Sequence, residues 1–203
     1  LKHETYLVMG NKIKNVVLNT LYKGWATLNE VSFSYKMKNE SWVNQKRESY
    51  DRGDGATVLL YNKVKKTVIL TKQFRVSTFL NGNDSGFVLE TCAGMLDNDQ
   101  PEACIIREIE EETGYKVNTV TKIFKAYSSP GALTEILHYF TAEYTDDMKV
   151  SDGGGLDSEH EDIEVLEMPF EFAVNMITTG EIKDIKTICL LQYAQINKIF
   201  NNS

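Results

Sequence analysis

A-G-M-L-D-N-D-Q-P-E-A-C-I-I-R-E-I-E-E-E-T-G-Y, residues 93 to 115, is the stretch whose reading decides the fold. Its second half has the marks of a helix that starts at Pro101 and stops at Gly114. Proline suits a first helical position, because its missing N–H would lack an intrahelical partner there anyway, and Asp99 or Gln100 stands where the cap belongs. A glycine just past the last periodic residue can take the left-handed conformation that ends a helix, with Tyr115 packing back onto the last turn. At about 100° per residue, Ile105, Ile106 and Ile109 share one face, and Glu108, Glu111 and Glu112 share another. One face is for the core and the other for something cationic.

Glu108 and Glu112 are like charges one turn apart, an arrangement that costs about 0.2 to 0.5 kcal/mol on an isolated helix. Arg107 can pair with Glu111, yet one arginine does not neutralise three carboxylates. Oxygen donors on a rigid helix face suit Mg²⁺ or Mn²⁺, which keeps waters that a substrate phosphate can replace. Taken alone, however, three glutamates on a helix more often mean a solvated surface.

The run R-E-I-E-E-E-T-G-Y, Arg107 to Tyr115, resembles the core of the Nudix hydrolase signature at every position. Upstream, Gly94 stands one residue closer to Gly114 than the opening glycine of that signature. The glutamate usually found between them is therefore replaced by Asp99 or Gln100, at a position of supportive rather than metal-binding character. The tracts E-T-C-A-G-M-L-D-N-D, S-P-G-A-L-T-E and E-D-I-E-V-L-E-M-P-F resemble the ADP-ribose pyrophosphatase branch of the family, and within it the bacterial enzymes that cleave GDP-mannose.

This resemblance implies a Nudix fold and Mg²⁺-dependent (or Mn²⁺-dependent) hydrolysis of the diphosphate bond of a nucleotide sugar. GDP-mannose would give GMP and mannose 1-phosphate, and ADP-ribose is the alternative substrate. It implies metal ligation by Glu108, Glu112, the Ala93 carbonyl and Glu161, and it leaves the general base open among Glu111, Glu159 and Glu161. Substrate contacts are implied for Lys46, Arg47, Glu48, Arg75, Glu90 and Glu135, with weaker assignments for Trp25 as a base-stacking surface and for Lys186 near the sugar or phosphate. Without the resemblance, Lys46 and Arg47 read equally well as charges on an exposed edge strand. Ser151 to Asp162 likewise reads as a solvated acidic loop, and its three successive glycines predict mobility.

Outside the acidic helix the chain has ordinary globular composition. Its 203 residues carry a formal charge of −7, which argues against nucleic acid or an anionic membrane as partner. Any anionic substrate must be met locally, by a bound cation or by placed arginines. No apolar run approaches the roughly 20 residues of a membrane span, and Leu1 to Tyr6 lacks the regions of a signal peptide, so a cytoplasmic location is expected. Cys92, Cys104 and Cys189 form no C-x-x-C and read as reduced thiols, and His3, His138 and His160 have no zinc spacing.

Alternation from Trp25 to Asp51, broken at Lys38 to Ser41, predicts an N-terminal hairpin unit. Strands follow at Ala56 to Tyr61, Thr67 to Arg75, Phe87 to Ala93, Val117 to Ala126, His138 to Tyr144 and Glu164 to Phe170. Asn81 to Gly86 reads as a loop, Phe170 to Thr179 as a short helix, and Asp184 to Phe200 as a long one. The fold class is α+β, a mixed β-sheet sandwiched between helices. Its expected domains are a small β-rich dimerisation unit, 1–52, and a hydrolase domain, 53–203. By resemblance the β-rich unit packs or swaps across a two-fold axis to make a homodimer, and the glycine-rich hinge at Arg52 to Gly55 is compatible with that. A non-catalytic nucleotide-sugar sensor is the competing reading, but such proteins have eroded acids in the signature, and these acids are intact.

Overall fold

Val58, Leu59 and Leu60, like Val68, Ile69 and Leu70, are almost wholly buried three in a row. A strand can bury consecutive side chains only if both its faces are covered, so these runs form the centre of a sheet layered between other elements. The computed structural model describes residues 3–6, 11–156, 158 and 160–200. They form two units. One comprises the described residues up to 54 with Ala126–Ile136, and the other Gly55–Lys125 with the described residues from 137 onward.

The first unit holds a four-stranded antiparallel sheet in the order β1 (His3–Tyr6), β2 (Ile13–Lys23), β3 (Thr27–Lys36) and β4 (Trp42–Asp51). The expected hairpin is therefore only half of the sheet. Two register shifts in β2, between Lys14 and Val17 and between Thr20 and Tyr22, break the alternation that would have revealed it.

The second unit is built on a mixed sheet, as expected. Its path is β11 (Glu164–Pro169), β6 (Thr67–Phe74), β5 (Gly55–Asn62), β10 (Ile136–Glu143) and β9 (Thr121–Tyr127). Strand β10 runs parallel to β5, whereas β6 pairs antiparallel with both β5 and β11. The tract expected as one strand from Phe87 to Ala93 divides in two. Its first part, β7 (Phe87–Glu90), pairs with β6, and its second, β8 (Ala93–Met95), pairs with β5. Thr91 and Cys92 make the step between them, and the Val58 N–H donates to the Cys92 carbonyl at 3.0 Å.

Among the described residues, four α-helices accompany this sheet. The five-residue α1 (Val76–Leu80) has no buried residue and left no apolar period in the sequence. Pro101 opens α2 (Pro101–Glu108), with Gln100 at the cap position. Helix α3 (Phe170–Thr179) stops at Gly180, whose φ is 81°. Helix α4 (Ile185–Ile196) starts from Asp184 and ends four residues before the expected Phe200. Ile105 and Ile109 are fully buried and pack into a core with Val58, Leu60, Ile69 and Phe140, while Ile106 is partly buried against it. Tyr115 packs edge-on against Tyr144 at 4.9 Å between ring centres. That core fixes which way the acidic face of α2 points. Among the described residues, no helix is long and apolar enough to cross a membrane.

Candidate active site

The predicted acidic helix is not α-helical throughout. After Glu108 the hydrogen-bond period widens into a π-helical turn, Ile109–Thr113, that closes on Gly114 at φ 76°. Such single π turns insert one residue's worth of rotation and re-aim side chains, which is why they recur at functional sites. Here the turn carries Glu110, Glu111 and Glu112.

Glu112 is only 2% exposed, so it does not belong to a solvated face. Its Oε2 accepts the Ala93 N–H at 3.3 Å. Glu108 approaches the same backbone, since a Cβ added at Gly94 would fall 2.2 Å from its carboxyl carbon. The two acids therefore converge on Ala93 and Gly94 of β8. Only glycine permits the approach made by Glu108.

Burial pushes the Glu112 carboxyl up to about 8, helped by the charges of Glu108 and Glu161 and opposed by hydrogen bonds from the Cys92 thiol and the Ala93 N–H. Burial also raises Glu108, although the neighbouring Arg107 works against it. Arg107 bonds Glu111 at 2.6 Å, the predicted i,i+4 pair, and also reaches Glu108 at 2.9 Å. Arg107 thus serves Glu108 and Glu111, and no ion pair with it reaches Glu112.

The donors near Ala93 are oxygens with a deficit of positive charge, the chemistry that a hard divalent cation satisfies. Among the described residues, no three His, Cys, Asp or Glu side chains already converge as a preformed ligand cluster. Glu161 is described, and its Oε2 accepts the Leu156 N–H at 3.1 Å. Glu159 lies outside the described residues.

The glycine-rich segment before Glu161 is a loop, as expected, and its backbone amides bond the π turn. The Gly154 N–H donates to the Glu112 carbonyl at 2.9 Å, and the Gly155 N–H to the Glu111 carbonyl at 3.1 Å. Val150 and Ser151 both donate to the Gly114 carbonyl. The glycines lie against the end of the π turn and satisfy carbonyls that a helix terminus leaves without partners.

A second constellation stands at the ends of β6, β7 and α4. Arg75 makes a forked ion pair with Glu90, its Nη2 at 2.6 Å and its Nε at 3.1 Å from Oε2. Burial works against the Arg75 charge, but Glu90, with Glu112 and Asp184 farther off, holds its pKa above the ordinary value. Lys186 lies 3.8 Å from Glu90 and 2.7 Å from Asp184.

Beneath this constellation runs a chain of buried hydroxyls. Thr187 Oγ1 donates to Asp184, Thr187 Oγ1 accepts the Thr91 N–H, and Thr57 and Thr91 bond each other at 2.9 Å. The predicted Arg75, Glu90 and Lys186 are thus brought together. Asp184, Thr91 and Thr187 were missed, although Asp184-x-x-Thr187 is a legible helix cap. Cys92, a buried reduced thiol against Glu112, gave no signal of its own.

The remaining predicted residues belong to the first unit. Lys46, Arg47 and Glu48 are exposed on the edge strand β4. Lys46 pairs with Glu30 at 2.8 Å, and Arg47 bonds the Gln45 side chain and the Lys46 carbonyl. Trp25 is 73% exposed. Glu135 is 2% exposed, and both its oxygens are engaged, one by Arg52 at 2.5 Å and the other by the Ser128 hydroxyl at 2.6 Å.

Comparison with known proteins gives two family matches. The NUDIX domain matches residues 51–191, and the GDP-mannose pyrophosphatase NudK N-terminal domain matches residues 12–50. The GDP-mannose pyrophosphatases of Shigella dysenteriae serotype 1 and Escherichia coli O157:H7 are each 52% identical over 189 residues, spanning 93% of this chain and 96% of theirs.

Proposed function

The chain belongs to the Nudix family and is a nucleotide-sugar pyrophosphohydrolase, and from that premise we propose that it hydrolyses GDP-mannose to GMP and mannose 1-phosphate with Mg²⁺, or Mn²⁺ in its place. The observation that carries the catalytic part is the convergence of Glu108 and the buried Glu112 on the backbone of Ala93 and Gly94. The substrate rests on near full-length similarity to the GDP-mannose pyrophosphatases, together with the N-terminal match.

In this reading Glu108, Glu112, Glu161 and the Ala93 carbonyl hold the divalent cation. When bound, such an ion neutralises phosphate oxygens and lowers the pKa of a coordinated water. A carboxylate takes the proton of the attacking water, a contribution of about 10² to 10⁴ in rate. Glu111, Glu159 and Glu161 are the candidates for that role. Water adds to one phosphorus, and the bond to the bridging oxygen breaks. Arg75 offers a planar donor suited to a phosphate, and Glu90 and Lys186 offer polar contacts to phosphate or sugar. Trp25, Lys46, Arg47, Glu48 and Glu135 complete the proposed substrate contacts.

We assign 53–203 to the hydrolase domain and 1–52 to a β-rich unit that forms a homodimer, acting in the cytoplasm. Exposed Tyr22, Trp25 and Trp42 support an interface on the β-rich unit. Gel filtration at twice the 23.1 kDa chain mass is the expected result, and elution as a monomer would remove the dimer.

Product chromatography after incubation with Mg²⁺ and either GDP-mannose or ADP-ribose tests the activity. GMP and mannose 1-phosphate should appear with the higher kcat/KM, which is the measure of discrimination. Faster release of AMP and ribose 5-phosphate would transfer the substrate assignment to ADP-ribose. No turnover of either would overturn the catalytic reading.

A further inference from the structure

On the reading that Glu161 serves the divalent cation, we propose that Gly155, held by the π-helical turn, is a positioning residue that sets the place of the Glu161 carboxylate relative to Glu111 and Glu112.

The π turn leaves the Glu111 and Glu112 carbonyls without helical partners, and the Gly155 and Gly154 amides bond them at 3.1 and 2.9 Å. The contact is backbone on backbone. A Cβ at Gly153 would stand 2.5 Å from the Glu112 carbonyl oxygen, so the glycine segment can lie this close only without side chains. On its other side the same segment touches Glu161. A Cβ at Gly155 would stand 2.5 Å from both Cβ and Oε2 of Glu161, and the next amide, Leu156, donates to Oε2 at 3.1 Å. Ile163 returns a hydrogen bond to the Gly154 carbonyl at 3.1 Å and ties down the far end.

From the Glu111 carbonyl to the Glu161 carboxylate the path therefore runs through one glycine and one amide. Acids from segments far apart in sequence are referenced to a single turn, and a shift at Gly155 moves Glu161 with respect to the other two. Preorganised sites lose function when a supporting contact moves by about 1 Å.

Gly155→Ala introduces a methyl group against Glu161 at a φ of +86°, whereas Gly180→Ala introduces one at +81° with nothing within 4 Å. The pair separates backbone strain from displacement of the acid. Both variants should lose similar thermal stability. Gly155→Ala alone should weaken Mn²⁺ binding, measured by calorimetry on the full chain, by about 10- to 100-fold, the range for supporting residues of a metal site. Its kcat should fall with it, while KM for the nucleotide sugar stays within about two-fold. In a Glu161→Gln background Gly155→Ala should add no further loss, as two residues acting through one contact are not additive. Unchanged Mn²⁺ affinity in Gly155→Ala, or a fully additive loss, overturns the proposal.

A measurement on the unaltered chain covers the case in which Gly155→Ala fails to fold. The Gly154 and Gly155 amide hydrogens should exchange at least about 100-fold more slowly than in an open chain, and exchange at the open-chain rate overturns the proposal. The outcomes keep the two readings apart. Unchanged Mn²⁺ affinity in Glu161→Gln removes Glu161 from the metal site and the proposal with it, whereas an impaired Glu161→Gln beside a normal Gly155→Ala removes the positioning role alone.

Discussion

Glu112 hangs from the Ala93 N–H by a 3.3 Å hydrogen bond in a place where its side chain is 2% exposed, which makes it an acid stored against its own preference for water. Its pKa is pushed up to about 8 from an ordinary 4.5. A folded-state value above the unfolded one means that the fold favours the protonated acid. Its stabilising contribution is full below about pH 4.5 and is lost as pH rises through about 8, at up to about 1.4 kcal/mol per pH unit. Urea unfolding in the presence of a chelator should give lower stability at pH 7.5 than at pH 5.5. Glu112→Gln should flatten that difference, and an undiminished slope in the variant would show that other groups carry it. Added Mg²⁺ should stabilise the parent at pH 7.5 by binding the folded state alone.

Removing the charge of either converging acid should leave a folded protein of low activity. Glu108→Gln and Glu112→Gln are each expected to lower kcat/KM by about 10² or more, the scale set by losing one preorganised electrostatic group. Circular dichroism checks the fold and product chromatography the rate. Wild-type turnover in Glu112→Gln would sink the metal assignment.

These acids were legible because helical spacing is local: Glu108 and Glu112 declare themselves by position, as do Pro101 and Gly114 at the ends. The π turn did not, since nothing in I-E-E-E-T distinguishes it from an α-helical turn. Strand β2 escaped because its bulges break the alternation, and α1 because a five-residue helix with no buried residue has no period to show. The hydrogen bonds of the three glycines were out of reach of the sequence for a deeper reason. Composition reports that a backbone can bend freely, but not that its amides have carbonyls to meet, and those carbonyls belong to residues some 40 positions earlier. The meeting of Arg75 with Glu90 likewise depends on the register that sets Thr71 of β6 opposite Glu90 of β7.

Arg75 and Glu90 should behave as a unit in which the arginine carries the specificity. Arg75→Lys keeps the charge but loses the fork that bonds Glu90 through two nitrogens. It should raise KM for the nucleotide sugar several-fold, at a modest cost in stability. Arg75→Ala should also destabilise the fold by roughly 1 to 3 kcal/mol, because buried Glu90 then loses its guanidinium partner and keeps Lys186 at 3.8 Å. Initial-rate kinetics with thermal unfolding separates the two effects, and equal KM values in parent and lysine variant would exclude the fork from substrate binding.

Glu135 should weigh on stability as well as on any substrate contact. Its buried carboxylate ties Arg52 and Ser128, and the neighbouring Asp54 accepts the Ile136 N–H at 2.8 Å. Glu135→Ala leaves Arg52 without that partner. A loss of about 1 to 2 kcal/mol is expected, since the variant removes the buried member of the pair and leaves Arg52 partly open to solvent. Denaturant unfolding measures it, and a midpoint equal to that of the parent would show that the pair contributes nothing.

Asp184 does two things at the start of α4, and two substitutions can separate them. One oxygen accepts the Thr187 N–H at 2.9 Å and the Thr187 hydroxyl at 2.7 Å, which caps the helix, while the other holds Lys186 at 2.7 Å. Thr187 in turn accepts the Thr91 N–H at 2.7 Å, so the cap also fixes the step between β7 and β8. Asp184→Asn retains an oxygen for the cap but loses the charge that orients Lys186. It should leave the melting temperature nearly unchanged and raise KM. Asp184→Ala loses both, and should add a cap penalty of about 0.5 to 2 kcal/mol to the same rise in KM. If the two variants melt together, the cap is not what Asp184 contributes. If Asp184→Asn binds substrate as the parent does, Lys186 needs no anchoring, and its place beside Glu90 is a matter of packing.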